Sequence, residues 1–260
     1  MKISIITTTC NSAATICDTL ESVLLQTHED WELIIQDGLS QDETLSIVRE
    51  YESQSDGRIH VFSEKDDGLY DAMNRGISRA TGDVVGILNS DDFYFDNHVL
   101  EDINKAMEDQ PVDCIYGDLV YVMPNNKNRI VRIWKGSQYQ KGAYQYGWHP
   151  AHPTFYAKRD FYKELGGFNT SYAISADFEL MLRFIEVANL RNQYIHRYFV
   201  KMRMGGQSNS TLRNVIRGNR NIILAMRENG LKPSPLLFIL HRILPKIWGV
   251  ICGTLHLSND

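Results

Sequence analysis

The chain has 260 residues, 43% hydrophobic, 23% charged and 10% aromatic, enough for one large domain or two small ones; that composition excludes a disordered chain, a collagen-like repeat and a disulfide-stapled miniprotein. The formal net charge of −5 excludes a protein built mainly to coat nucleic acid, and no nucleic-acid partner is expected. The average conceals a division, with 15 basic and 29 acidic residues in 1–182, a net of −14, against 12 basic and 3 acidic residues in 183–260, a net of +9.

In chain order, Ile3–Thr7 predicts a short buried strand. Asn11 or Ser12 can cap a following helix in which Ile16, Leu20, Val23 and Leu24 recur at helical spacing up to about Gln26. Trp31–Gln36 predicts a second strand, broken at Asp37-Gly38, and a helix carrying Leu45, Val48 and Tyr51 starts near Asp42. Ile59–Ser63 predicts a third strand, Tyr70–Ala80 a helix closed by Thr81-Gly82, and Asp83–Leu88 a fourth strand ending at Asn89-Ser90-Asp91-Asp92. After residue 110 the pattern changes. Cys114–Asp118, Val120–Met123 and Arg129–Trp134 read as strands, with a hairpin turn over 124–128. Gly136–Pro150 reads as a mobile loop over a site, and Ser175–Val187 and Thr211–Asn229 as helices, the latter stopped by Gly230 and Pro233.

Strands alternating with helices predict an α/β fold: a central, mostly parallel sheet with helices on both faces. Ligands of such sheets bind beyond the carboxyl ends of the strands. Here those ends are polar or acidic four times over: Thr8-Thr9-Cys10-Asn11, Asp37-Gly38, Glu64-Lys65-Asp66-Asp67-Gly68 and Asn89-Ser90-Asp91-Asp92. Good turn and cap formers account for any one of these, but poorly for all four. Adjacent carboxylates after a buried strand suit a hard divalent cation, Mg²⁺ or Mn²⁺, which keeps positions open for substrate phosphates.

These residues resemble the inverting GT-A glycosyltransferases of glycosyltransferase family 2. Ser4–Asn11 is similar to the family's opening strand and nucleotide loop, and Asp37–Thr44 to its D-G-S-x-D-x-T segment. Asp67-Gly68-Leu69-Tyr70-Asp71-Ala72-Met73-Asn74-Arg75-Gly76-Ile77 is similar to the G-x-Y-D-A-M-N-x-G-I run of polysaccharide-building members, and Asn89–Asp92 falls where the D-x-D metal motif falls. Gly166-Gly167-Phe168 and Ser175–Leu180 resemble the acceptor-side segment whose aspartate is the catalytic base. The resemblance spans about residues 2–210. It implies a GT-A catalytic domain over 1–210 (a nucleotide-sugar half over 1–110, an acceptor half over 111–210) and a basic, apolar helical tail over 211–260.

The resemblance also implies roles. Thr8, Thr9 and Asp37 would hold the uracil and ribose, Asp67, Asp71, Asn74 and Ser90 would line the nucleotide and donor sugar, and Mn²⁺ or Mg²⁺ would sit at Asp91 and Asp92. His152 would be a metal ligand or a diphosphate contact, and Asp177 the base. Two departures matter. Asn89 replaces the first acid of D-x-D, leaving Asp91 as principal ligand with Asp92 behind it, and Ala176-Asp177 replaces Glu-Asp, leaving Asp177 as the one carboxylate for the base. Glu179 points away from Asp177 on a helix. An ordinary aspartate is ionised at neutral pH and can take the proton of an acceptor hydroxyl. The activated oxygen then displaces the nucleoside diphosphate in one inverting step, so a UDP-α-sugar, hexose or N-acetylhexosamine, gives a β-linkage. The expected acceptor is a glycan or a lipid-diphosphate saccharide of surface polysaccharide synthesis.

Arg213, Arg217 and Arg220 share one helix face. In 233–257, Leu, Ile, Phe and Trp are interspersed with cations, a composition suited to an interfacial segment on an anionic bilayer, with a packed helix or a homodimer seam as the alternative. Cys10, Cys17, Cys114 and Cys252 lack metal or redox spacing. The opening apolar run is too short for a signal peptide, and no run reaches the roughly 20 apolar residues of a spanning helix. The expected location is the cytoplasm, peripheral on the inner face of the plasma membrane. A sugar-1-phosphate nucleotidyltransferase would want a Gly-rich basic loop after the first strand, and a dinucleotide oxidoreductase G-x-G-x-x-G; Thr7–Asn11 offers neither. A non-catalytic sugar-nucleotide-binding scaffold is kept open by Asn89.

Overall fold

The computed structural model describes residues 1–205, 212–234 and 238. Its first half alternates as the periodicity predicts: β1 (Ile3–Thr9), α1 (Ile16–Leu24), β2 (Trp31–Asp37), α2 (Thr44–Ser53), β3 (Ile59–Ser63), α3 (Leu69–Arg79) and β4 (Val84–Ile87). These strands lie in the order β3-β2-β1-β4, all parallel. Every residue of β1 and β2 is buried, including the polar Ser4, Thr7, Thr8 and Thr9 of β1 and Glu32, Gln36 and Asp37 of β2. Thr9 is level with Asp37, and Asp37 with Ser63, so three strand ends open onto one rim.

The second half contains β5 (Phe93–Tyr94), α4 (Val99–Asp109), β6 (Cys114–Met123), β7 (Asn126–Trp134), β8 (Tyr156–Lys158), α5 (Arg159–Leu165), α6 (Ala176–Met181), β9 (Asn192–Arg203) and α7 (Leu212–Glu228). β8 joins β4 to β6 through antiparallel pairs, β9 lies parallel to β6, and β7 pairs with β6 alone, completing a nine-stranded sheet. The part made by β1 to β4 is thus parallel, and the rest of the sheet is mixed. Side chains alternating along β1 feed two cores: Ile3 and Ile5 meet α1, α2 and α4, while Ile6 meets α3, α6 and α7, so helices cover both faces.

The predicted break at Leu119 is a bulge within one continuous β6. The helix predicted over 175–187 is α6 continued by a π-helical turn, Leu182–Val187. The segment expected to be a mobile loop is anchored by Tyr144, fully buried among Tyr139, Trp148 and Phe178. α7, assigned by sequence to the tail, shares the core with α6 through Ile222, Ala225 and Met226, and Asn221 donates to the Ile174 carbonyl (2.8 Å). Arg213, Arg217 and Arg220 face outward. Of the proposed membrane segment 233–257, only 233, 234 and Phe238 lie within the described residues; Phe238 is buried against Gly147. Among the described residues no helix is long and apolar enough to cross a membrane.

One buried acid ties the sheet's amino-terminal edge together. Glu32 accepts from Ser4 Oγ (2.6 Å), the Thr81 amide (2.6 Å) and Thr81 Oγ1 (2.7 Å), and pairs with Lys2 (2.7 Å). Burial pushes its carboxyl up, but these donors outweigh burial and hold it at about 2, against an ordinary 4.5. Its stabilisation is therefore present above pH 4.5 and lost as pH falls toward 2. Glu32→Gln should cost about 2–3 kcal/mol in urea unfolding at pH 7, with the gap from wild type shrinking through that acid window.

Candidate active site

The rim at the ends of β1, β2 and β3 is organised by Asp37. It is fully buried and accepts from Thr9 Oγ1 (3.0 Å), the Ser40 amide (3.1 Å), Ser40 Oγ (2.5 Å) and Ser63 Oγ (2.7 Å), binding the ends of β1, β2 and β3 to one another. Thr8 and Thr9 are buried beside it. Leu39 adopts a left-handed backbone (φ 58°), a strained choice for a branched residue, to turn the chain around this carboxylate. Ser90 lies across the rim with its hydroxyl 2.9 Å from that of Ser12. On α3, Asp71 accepts from the Asp67 amide (3.1 Å) and pairs with Arg75 (2.9 Å), while the side chain of Asp67 itself is exposed.

Asp91 and Asp92 have different surroundings. Asp92 is fully buried and accepts from Asn89 Nδ2 (2.9 Å) and the Arg203 amide (3.2 Å). Burial first, then the charge of Asp91, pushes its carboxyl well above the usual carboxylate range. Asn89, standing where an acid was expected, is thus a donor to Asp92. Asp91 is half-buried, and burial raises its carboxyl too; among the described residues no other side chain donates to it. Two adjacent carboxylates that resist ionisation form a locus where a cation would relieve repulsion. Among the described residues no three His, Cys, Asp or Glu converge as a ready-made metal group. Asp91 is the more accessible of the two and is the carboxylate that would hold a Mg²⁺ or Mn²⁺, with Asp92 sealed behind it; such ions take one or two carboxylates and complete their shell with water and substrate phosphate.

The second cluster is built on α6. Asp177 lies in its first turn, after Ser175 in a left-handed conformation (φ 73°). Tyr70 donates its hydroxyl to Asp177 Oδ1 (3.3 Å) and stacks on Phe168 (5.4 Å between centroids). Burial and the charge of Asp177 push the phenol above its ordinary value, so it remains a donor. Asn74, expected among the donor-binding residues, clamps Phe168: it donates to the Phe168 carbonyl (2.8 Å) and accepts from its amide (2.7 Å). Arg183 pairs with buried Glu179 (2.9 Å) and donates to the carbonyls of Gly166 (2.9 Å) and Gly167 (2.7 Å). A Cβ at Gly167 would stand 2.3 Å from Asn74 Oδ1, so only glycine allows this approach.

His152 occupies a 3₁₀ turn fixed by Thr154, whose hydroxyl bonds both the carbonyl and the amide of Gly117 (3.0 and 3.2 Å). The imidazole packs edge-on against Phe168, and its Nε2 is buried without a partner. Burial lowers its pKa, opposed by the charge of Asp177, so the ring is neutral at pH 7. His152 thus lies close enough to Asp177 to feel its charge. Sequence reasoning passed over Tyr70 and Arg183. Tyr70 and Asn74 are four residues apart, and so are Asp71 and Arg75; helical spacing alone places each pair on a shared face.

The sheet is mixed, its parallel part β3-β2-β1-β4, with a half-buried aspartate beyond β4 and a tyrosine-held aspartate in the first turn of α6. Residues 4–174 match the family model described as Glycosyl transferase family 2, and the chain belongs to that family. It is 30% identical over 209 residues, 80% of this chain and 79% of the other, to a PGL/p-HBAD biosynthesis glycosyltransferase of Mycobacterium bovis (strain BCG / Pasteur 1173P2). Among solved structures it resembles S. aureus TarS 1-349 in complex with UDP-GlcNAc (TM-score 0.67, 18% identity, 89% of this chain and 68% of that one). It also resembles the mannosyltransferase PcManGT from Pyrobaculum calidifontis in complex with GDP-Man and Mn²⁺ (TM-score 0.65, 20% identity, 99% and 74%). Those two likenesses establish the GT-A fold.

Proposed function

We propose that this protein transfers a sugar, with inversion, from a UDP-hexose or UDP-N-acetylhexosamine to a hydroxyl of a glycan or lipid-linked saccharide in surface polysaccharide or glycolipid synthesis. The observation that carries the reading is the Tyr70–Asp177 pair: a carboxylate on a fixed helix turn, held by a phenol and backed by the Asn74–Phe168 clamp. Asp177 takes the acceptor proton as the acceptor oxygen attacks the anomeric carbon, and Tyr70 keeps the carboxylate aimed. Thr8, Thr9 and Ser90 line the nucleotide end, and Asp37 serves it by fixing Thr9 and the turn at Gly38. Asp67 and Asp71 border the donor sugar, with Asp71 oriented by Arg75. A Mn²⁺ or Mg²⁺ at Asp91 would supply charge neutralisation for the departing diphosphate. His152, neutral and with an unpaired Nε2, is assigned to the diphosphate end of the reacting pair. The mycobacterial relative's biosynthetic role and the nucleotide sugars bound by the two structural neighbours support this choice of chemistry.

Thermal unfolding with Mn²⁺ and a panel of UDP-glucose, UDP-galactose, their N-acetyl forms and GDP-mannose tests the reading. A donor at 100 times its Kd adds about 2.7 kcal/mol, a rise of about 5–10 °C for a chain of this size. One UDP-sugar should give it; no response to any nucleotide sugar would overturn the proposal.

A further inference from the structure

The β6–β7 hairpin is not used by this mechanism. From Leu119 to Arg159 the chain contains no acidic residue, although residues 1–182 as a whole carry −14. The same stretch carries Lys127, Arg129, Arg132, Lys135, Lys141, Lys158 and Arg159. β7 is exposed along eight of its nine residues and pairs only with β6, so its outer edge is unpaired among the described strands. Three aliphatic side chains are held in water there, Ile130, Val131 and Ile133, with exposures of 47%, 41% and 51%. Exposed apolar groups on a free strand edge are costly in an isolated molecule and mark a contact surface.

The hairpin's position follows from the sheet. β8 is antiparallel to both β4 and β6, so these two run in the same direction, and Tyr156 lies opposite both Gly86 and Ile115. β4 stops at Ile87, one residue beyond that level, whereas β6 continues to Met123. The hairpin therefore projects past the strand ends that form the acidic rim, and Val122 lies opposite Arg203, whose amide holds Asp92.

We propose that this hairpin docks on the anionic surface of a lipid bilayer, setting the mouth of the site against the membrane. The charge pattern selects the occupant. A second copy pairing antiparallel along β7 about Arg132 would set Arg132 against its own equivalent and Arg129 against Lys135, and like charges across a strand pair destabilise it. Lys127 is paired with Asp18 (2.6 Å) and Arg132 lies over Tyr121 (4.6 Å), while Arg129 and Lys135 are exposed. Cations next to short aliphatic side chains match a headgroup layer, where each Lys or Arg attracts anionic lipid and the apolar groups enter the acyl boundary. Docking stands apart from the chemistry; it adds to the proposed function that the acceptor is lipid-linked and met at the bilayer.

Sedimentation of the full chain with phosphatidylcholine vesicles, with and without 30 mol% phosphatidylglycerol, tests this. Wild type should bind the anionic vesicles and weaken as salt rises. Arg129→Ala/Lys135→Ala and, separately, Ile130→Ser/Ile133→Ser should each lower partitioning about tenfold or more, while the UDP-sugar thermal shift stays as in wild type. The unchanged shift separates loss of docking from failure of the transferase reading. No binding by wild type, or equal binding by both variants, overturns the proposal, the latter assigning attachment to the tail. Concentration-dependent dimerisation abolished by Ile130→Ser/Ile133→Ser would assign the edge to a second copy and overturn it as well.

Discussion

Asp177→Asn should lower sugar transfer by about 10²–10⁴-fold, the usual contribution of a positioned general base, while donor binding and the folded structure persist. The amide keeps the shape of the carboxylate and can still meet the Tyr70 hydroxyl, but it cannot accept a proton. Because the substitution touches no part of the nucleotide side, the thermal shift with UDP-sugar and Mn²⁺ should equal that of wild type. Radiolabel or coupled UDP-release assays read the loss. Full activity would show that another group takes the proton. Glu179, the other acid of this helix, is occupied by Arg183, so its promotion to base would require breaking a buried ion pair.

Asp91→Asn should have the second large effect, and in two opposite directions. Donor-induced stabilisation should vanish, and transfer should fall by about 10³-fold or more, because several kcal/mol of charge stabilisation at the leaving group depends on the cation that Asp91 would hold. The protein without ligand should become more stable. Burial raises the carboxyls of both Asp91 and Asp92, so each favours folding below the ordinary value of 3.8 and loses that advantage as pH rises through its elevated value. Removing the Asp91 charge also removes the repulsion acting on Asp92. At pH 7 a gain of about 1–2 kcal/mol in urea unfolding is expected. A variant that is both less stable and fully active would contradict the assigned role.

The nucleotide half was legible because its physics is local. Its strands show short apolar clusters, Ile5-Ile6 in β1 and Leu33-Ile34-Ile35 in β2, and the polar residues that end them appear together. The acceptor half was less so. β9 runs for twelve residues but buries only Phe199, Val200 and Arg203, so it shows neither a clean alternation nor an apolar run. β8 is three residues long and owes its existence to pairing with β4 and β6 rather than to propensity. α4 was readable from Val99, Leu100, Ile103 and Met107, all buried at helical spacing, and was passed over. Within the site, sequence motifs pointed to the acids but not to what each acid touches. The satisfied carboxylate of Asp37, the clamp made by Asn74 and the partition of Asp91 from Asp92 all depend on contacts distant in sequence. The acid-to-amide change at Asn89 acquires a physical meaning only beside Asp92.

The central claim, a single displacement driven by Asp177, is tested most directly by the configuration of the sugar first released. With a UDP-α-sugar that passes the binding screen, slow hydrolysis uses water in place of the unknown acceptor, and proton NMR records the anomer before mutarotation. The account predicts the β-anomer first, at a rate that collapses in Asp177→Asn. Initial release of the α-anomer would contradict it.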